Sequence, residues 1–193
     1  MDIFKDRISA GQELAKELTK YEGKDIIILA IPRGGVSVAF PVAKKLKVPL
    51  DIIVPRKIPI PWSPEAGFGA VTVDGTIVLN EPLVKSLQLR PNEIEQEAAK
   101  VRKEIERRTR LYRGDKPFPS VSGKIVILID DGLASGYTML AAIHSLEKET
   151  PKKVVVAVPA ASASAVRLIK PQADEFICLI ESKRAFFAVA YFY

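Results

Sequence analysis

Asp130 and Asp131 stand side by side at the end of an apolar run, Ile125 to Ile129, directly before the small-residue stretch Gly132-Leu133-Ala134-Ser135-Gly136. Carboxylates in that place can accept hydrogen bonds from sugar hydroxyls or face a hard cation. Small residues between a strand and a helix let backbone N–H groups close on an anion, and a helix N-terminus favours negative charge. Ser135, Tyr137 and Thr138 add hydroxyl donors as the chain enters the apolar-periodic segment Tyr137 to Leu146. These residue types in this order suit a phosphorylated sugar. A P-loop is excluded because no Gly-Lys-Ser/Thr follows, and the dinucleotide fingerprint G-x-G-x-x-G is absent.

Two further strand ends carry cations. The apolar run Ile26 to Ile31 turns through Pro32-Arg33-Gly34-Gly35, where a guanidinium can fork onto phosphate oxygens and the glycines allow close approach. The short strand Leu50 to Val54 leads into Pro55-Arg56-Lys57-Ile58-Pro59. Pro61, Pro64, Gly67 and Gly69 follow, which predicts a long loop of the functional or mobile kind.

The elements that position these residues are legible in outline. Phe4 to Tyr21 reads as an amphipathic helix with Ile8, Leu14, Ala15 and Leu18 on one face, and Val36 to Leu46 as a helix bent or delayed by Pro41. Ala70 to Leu79 reads as a hairpin, with Asp74-Gly75 as its two-residue turn. Asn80 can cap a short helix to Leu87. The longest helical pattern is Glu93 to Tyr112, with Asn92 and Glu95 as a capping box and Ile94, Ala98, Val101 and Ile105 as its stripe. Its other face, Arg102, Lys103, Arg107, Arg108 and Arg110, reads as solvated and laced with i,i+4 pairs. Val154 to Val158, Ser162 to Ile169 and Glu175 to Ile180 complete a strand, helix and strand. The order is βαβ, a hairpin insertion, a helix, then βαβαβ. It predicts a parallel sheet wound on both faces, with ligands beyond the strands' C-terminal ends.

The bulk numbers narrow the class. At 193 residues, 48% apolar and 27% charged, the chain can bury one α/β core and is no disordered tail. One cysteine, Cys178, excludes an intramolecular disulfide and a multi-cysteine metal site, and reads as a buried small hydrophobe. The lone His144, inside a helix, reads as structural or solvated. The N-terminus is charged, without a signal-peptide pattern, and no run approaches the roughly 20 apolar residues of a membrane span. A cytoplasmic protein is expected. The net charge of +6 admits nucleic acid, an anionic surface or a polyphosphorylated substrate.

The ordered pattern Val126 to Ile129, Asp130-Asp131, Gly132-Leu133, then Ala134-Ser135-Gly136-Tyr137-Thr138 resembles the phosphoribosyl-pyrophosphate (PRPP) motif of the type I phosphoribosyltransferases. The Arg33-Gly34-Gly35 turn is similar to the loop with which that family grips pyrophosphate, often through a non-proline cis peptide. Arg56-Lys57 resembles a segment of adenine phosphoribosyltransferases but lacks its Gly and second Lys, so adenine specificity is not inherited. The likeness runs from Ile26 to the C-terminus, through Asn80 and Arg110-Leu111-Tyr112-Arg113, and is greatest to an uncharacterised branch of the family. Members of that branch usually continue past 186–193, the region expected to help cover the base.

The resemblance implies a Rossmann-like, doubly wound, mostly parallel α/β sheet in a single domain over 1–193. A flexible loop and hairpin insertion at 55–80 and hood segments at 1–22 and 181–193 would complete it, with 58–68 ordering on binding. It implies Mg²⁺-dependent transfer of the 5-phosphoribosyl group of PRPP to a purine or pyrimidine base, releasing pyrophosphate, in a homodimer with neither membrane nor nucleic-acid partner. On those terms Asp130 and Asp131 hold the ribose hydroxyls and the metal's water shell. Leu133, Ala134, Ser135, Gly136, Tyr137 and Thr138 cradle the 5′-phosphate. Arg33, Gly34 and Gly35 grip pyrophosphate, and Arg56 and Lys57 meet its developing charge. Glu65 is a carboxylate for the acceptor's proton, and Phe186, Phe187 and Tyr191 could stack on a flat ring or form a core-packed terminal strand. Ala134 stands where hypoxanthine-guanine enzymes place an Asp, against a 6-oxopurine enzyme of that type. Rival readings are a PRPP-sensing regulator that binds nucleic acid, resting on the charge and the basic helix, and a fold relative using ammonia or water as acceptor.

Overall fold

The computed structural model describes residues 4–184 and 186–193. Residues 1–3 of the first expected hood segment and Ala185 of the second lie outside the described residues. The chain divides into two compact units. The first comprises Met1–Ile53, Pro119–Gly136 and Leu146–Tyr193, and the second Val54–Phe118 and Tyr137–Ser145.

The first unit is built on a five-stranded parallel sheet. Its strands are β1 (Ile26–Ala30), β2 (Leu50–Ile52), β6 (Ile125–Ile129), β7 (Lys153–Ser162) and β8 (Glu175–Ser182), in the order β2-β1-β6-β7-β8. Every residue of β1 and β6 is buried, as their unbroken Ile/Val/Leu runs predict for central strands covered on both faces. One face is covered by α1 (Arg7–Glu17) and α2 (Gly34–Leu46), through Leu14, Leu18, Val38 and Val42 against Ile26, Ile28 and Ile127. The two helices meet where Gly11 approaches Val38 and Pro41. A Cβ on Gly11 would overlap the Val38 carbonyl oxygen, so only glycine lets α1 sit on the proline site. Pro41 neither ends nor delays α2, which starts earlier than the periodicity predicts, at Gly34. The first helix is shorter than predicted. Asp6 caps it, its Oδ1 accepting from the Ser9 N–H at 2.7 Å, and a 3₁₀ turn at Thr19–Tyr21 replaces its last turn.

At the opposite edge from the predicted ligand loops, Lys153 opens β7 and Glu175 opens β8. The Glu175 carboxylate accepts from Lys153 Nζ at 2.7 Å, from the Tyr21 hydroxyl at 2.5 Å and from Lys20. Burial alone would raise this carboxyl, but those donors overcome it and hold its pKa at about 2, against 4.5 for a free glutamate. A carboxylate depressed on folding stabilises above its unfolded pKa, and that contribution disappears as pH falls from 4.5 towards about 2. Glu175→Gln should therefore cost about 1–2 kcal/mol at pH 7, after solvent screening, and flatten the loss of stability across that acid window. Urea titrations at stepped pH measure both effects. An acid limb identical to wild type would contradict the assignment.

The second unit carries a three-stranded antiparallel sheet, β3 (Arg56–Ile60), β4 (Ser63–Val71) and β5 (Ile77–Leu79), with α3 (Glu81–Ser86), α4 (Pro91–Arg113) and most of α5 (Tyr137–Glu147). The proline-rich stretch predicted as a long loop is the β3–β4 hairpin. Its prolines are tolerated because the register slips on both sides of Pro59, while Ile58, Ile60 and Phe68 are buried. The β4–β5 turn is also not the two-residue one predicted. Thr72 and Thr76 still pair, their N–H to O distance 3.0 Å, which leaves Val73-Asp74-Gly75 in the loop with Gly75 at φ 84°. Asp74 favours this wider loop by accepting from the hydroxyls of both threonines. Asn80 caps α3 as expected, accepting from the Leu83 N–H at 3.3 Å. The cap of α4 differs: Glu93, not Glu95, reaches back to the helix start, accepting from the Arg90 N–H at 2.8 Å, with Pro91 at the first helical position. On its charged face Glu104 takes Arg108 at 2.7 Å, the i,i+4 pairing expected, and also Arg107 at 2.8 Å, an i,i+3 pair. Cys178 on β8 is half-buried, and burial pushes its thiol up to about 11. No helix among the described residues is long and apolar enough to cross a membrane.

Candidate functional site

The site grows from two neighbouring strands that end together. β1 and β6 run parallel with Ala30 opposite Ile129, and the Ile31 N–H continues the ladder onto the Ile129 carbonyl at 2.9 Å. Both chains therefore leave the sheet at the same C-terminal edge. After β1 the chain passes through a cis peptide between Pro32 and Arg33, at the position the resemblance singles out, and enters α2 at Gly34. The two glycines are fixed by proximity to β6. A Cβ on Gly34 would overlap the Asp131 carboxylate, and one on Gly35 would lie 2.8 Å from the Ile129 carbonyl oxygen and 2.9 Å from Asp130 Cα. The Arg33-Gly34-Gly35 turn and the Asp130-Asp131 pair are thus one surface.

The two carboxylates sit in different surroundings. Asp130 Oδ1 accepts from the Asp131 N–H at 2.8 Å. Burial, and then the neighbouring Asp131 charge, push the Asp130 carboxyl well above the usual carboxylate range. The Asp131 carboxylate is open to one strong donor, Arg7 Nε, at 2.7 Å from its Oδ2. Both aspartates are partly buried, and together they present hard carboxylate oxygens at the strand end. Among the described residues no group of three or more His, Cys, Asp or Glu is placed to hold a metal ion by itself. That donor set fits Mg²⁺, which binds through one or two carboxylates and keeps water and substrate oxygens for the rest.

Beyond Asp131 the loop is pinned to β7. Leu133 bridges Ala161: its N–H donates to the Ala160 carbonyl at 3.0 Å, and its carbonyl accepts from the Ser162 N–H at 2.9 Å. Ser162 Oγ donates to the Ala134 carbonyl at 2.6 Å while accepting from the Ala165 N–H at 3.0 Å, which caps α6 (Ala163–Ile169). With those carbonyls engaged, Ala134 and Ser135 are left at an exposed tip. Gly136 then turns at φ 86°, a left-handed conformation that favours glycine, and Tyr137 starts α5. No side chain caps α5. The N–H groups of a first helical turn have no intrahelical acceptors, so the start of α5 offers donors that an anion can take.

A strand ending in paired acids, a pinned small-residue loop and an uncapped helix occupy residues 125–147. A family model described as a phosphoribosyl transferase domain matches residues 76–191, which include all of them. This chain belongs to that family. The Rv0571c protein of Mycobacterium tuberculosis H37Rv, provisionally named a phosphoribosyl transferase, is 39% identical over 189 residues, covering 98% of this chain and 42% of its own length. The chain thus spans less than half of the curated relatives it matches. The crystal structure of TT1426 from Thermus thermophilus superposes with a TM-score of 0.81 at 38% identity, covering all of this chain and 90% of that one. A purine phosphoribosyltransferase from Pyrococcus horikoshii superposes at TM-score 0.50 and 17% identity, over 91% of this chain and 81% of that one, which is a likeness of fold.

Within this phosphoribosyl transferase domain the remaining sequence-predicted residues fall as follows. Arg33 is exposed beside the two glycines. Arg56 and Lys57 open β3 in the second unit. Burial, then the charge of Arg108, pushes the Arg56 guanidinium below its ordinary value, and Lys57 Nζ donates to the Glu65 carbonyl. Glu65 itself is exposed on β4. The C-terminal aromatics form no strand but a 3₁₀ turn at Val189–Phe192. Phe186 is 85% exposed and Tyr191 53% exposed, whereas Phe187 already packs on Phe192 with ring centroids 5.2 Å apart. Sequence reasoning misses three residues at the acidic loop: Ser162, Arg7 and Tyr193. Ser162 has a readable signal, a serine at a strand–helix junction, which marks the helix's cap rather than its first residue. Arg7 and Tyr193 carry none.

Proposed function

We propose that this domain transfers the 5-phosphoribosyl group of PRPP to a nitrogenous base, purine or pyrimidine, with release of pyrophosphate. The observation that carries the reading is the fit of two βα turns: the Arg33-Gly34-Gly35 loop lies against an acidic pair that leads to the uncapped start of α5. Two anion-binding turns flanking carboxylates match a substrate with phosphate at one end, pyrophosphate at the other and ribose hydroxyls between. Bond exchange at ribose C1 passes through an oxocarbenium-like transition state, so the protein's task is to position the substrate and stabilise the leaving group. Asp130 and Asp131 take the ribose hydroxyls. The backbone of residues 133–138, with the Ser135 and Thr138 hydroxyls, holds the 5′-phosphate. Arg33 and its glycines hold the pyrophosphate. Magnesium, when bound near the two aspartates, supplies charge neutralisation on the leaving group.

The remaining roles rest on the resemblance. We assign Arg56 and Lys57 to charge developing on pyrophosphate, and Glu65 to the acceptor's proton. Phe186 and Tyr191, whose faces are free, are assigned to the acceptor ring. Phe187 serves that turn's own packing. Nucleotide salvage in the cytoplasm, as a homodimer without membrane or nucleic-acid partner, is the setting we assign.

The test is pyrophosphate release from PRPP, with and without Mg²⁺, across adenine, guanine, hypoxanthine, xanthine, uracil and orotate, alongside calorimetric PRPP binding. Magnesium-dependent release with one acceptor class is the expected result. Tight PRPP binding with silence for every base would replace the transferase by a PRPP sensor. Absence of PRPP binding would overturn the reading.

A further inference from the structure

Asp131 is held by residues from both ends of the described chain, its carboxylate by Arg7 and its backbone carbonyl by Tyr193. Arg7 is the first residue of α1, placed there by the Asp6–Ser9 capping box, and its Nε donates to Asp131 Oδ2 at 2.7 Å. The guanidinium lies over the Tyr193 ring, 4.6 Å from its centroid, and the Tyr193 hydroxyl donates to the Asp131 carbonyl oxygen at 2.5 Å. Phe4 closes the group: its ring centroid lies 6.0 Å from that of Tyr193, and its N–H donates to the Phe192 carbonyl at 3.0 Å. Leu14, Ala15 and Leu18 seat one end of α1 and its following turn in the core, and Ala10 packs with Phe4, Ala160 and Phe192 at the other, while Arg7 belongs to neither cluster. From the opposite side the carboxylate lies against Gly34, in space that a Cβ there would fill.

We propose that Arg7 is a positioning residue for the transfer reaction, held in place by Tyr193, which fixes the Asp131 carboxylate so that Oδ1 is presented to a ribose hydroxyl. The proposal rests on the reading given under Proposed function. An unsupported Asp side chain rotates freely about two bonds. Here one oxygen is occupied by a fixed cation and the backbone carbonyl by a phenol, so the other oxygen is oriented before substrate arrives. The Arg7 side chain is 38% exposed and its pair with Asp131 contributes little to fold stability, which leaves orientation as its principal effect.

The experiment compares Arg7→Ala, Arg7→Lys and Tyr193→Phe with wild type, reading PRPP affinity by calorimetry, kcat, the KM for PRPP, the KM for the acceptor, and the melting temperature. Arg7→Ala should raise the Kd and KM for PRPP about tenfold, with the acceptor KM and melting temperature unchanged. Arg7→Lys should recover part of that loss, and Tyr193→Phe should show a smaller loss of the same kind. Three outcomes overturn the proposal. Tighter PRPP binding in Arg7→Ala would make Arg7 a competitor for the carboxylate. Unchanged constants would make it a bystander. A fall in melting temperature matching the loss, with no rescue by lysine, would make it structural. A wild-type protein that binds no PRPP overturns the functional reading itself, and the proposal falls with it.

Discussion

Asp131→Asn should lower kcat/KM for PRPP by about 10²–10³-fold while the protein still folds. The amide has the volume of the carboxylate, but it must present an NH₂ group on one side. Two neighbours define its setting: Arg7 Nε donates to Oδ2, and the carboxylate lies against Gly34. If the amide oxygen faces Arg7, the NH₂ faces the ribose hydroxyl, where a negatively charged acceptor stood. If the amide is flipped, NH₂ meets guanidinium. Either arrangement removes charge-assisted hydrogen bonding, which is worth more than a neutral bond. Stability should change by less than about 1 kcal/mol, because Arg7 keeps access to water. Steady-state kinetics with PRPP varied, beside a urea titration, separates the two effects. A kcat/KM within threefold of wild type would remove Asp131 from the site.

The part of this site that is local in the chain is legible in the sequence, and the part made by distant segments is not. Ile125 to Thr138 stands out because a buried strand, paired acids, a glycine turn and a helix start are each short-range patterns, and they fall where expected. Arg33-Gly34-Gly35 can be placed beside it because parallel strands present their C-terminal ends at one edge. Arg7 and Tyr193 lie 124 and 62 positions from Asp131, and no periodicity or spacing couples residues at such distances. The β3–β4 hairpin escapes the sequence for a different reason. Its prolines and glycines outweigh the weak alternation of Ile58 and Ile60, yet the hairpin forms because that alternation buries one face and the register slips at Pro59. At α4 the competition is between two acidic residues, and Glu93 prevails because Pro91 sets the helix start two residues earlier than a cap at Asn92 would. Composition reports how costly a strand is, and burial decides whether it forms.

Gly34 and Gly35 are adjacent, both lack room for a methyl group, and should nevertheless respond to alanine in opposite ways. At Gly35 the obstacles are the Ile129 carbonyl oxygen at 2.8 Å and Asp130 Cα at 2.9 Å, backbone atoms at the end of a central strand. Neither can yield without lifting the first turn of α2 from β6, so Gly35→Ala should destabilise the fold by about 2–4 kcal/mol. At Gly34 the obstacle is the Asp131 carboxylate, the end of a side chain that can rotate. Gly34→Ala should therefore fold with a loss of about 1 kcal/mol, mainly the Arg7 contact, while its PRPP affinity drops at least about tenfold because the displaced carboxylate no longer faces the ribose. Urea titration and PRPP calorimetry on the two variants give the four numbers needed. The reverse pattern, a stable Gly35→Ala and an unfolded Gly34→Ala, would mean that the Arg33 turn does not lie on the acidic pair. The two turns would then not form a single binding surface.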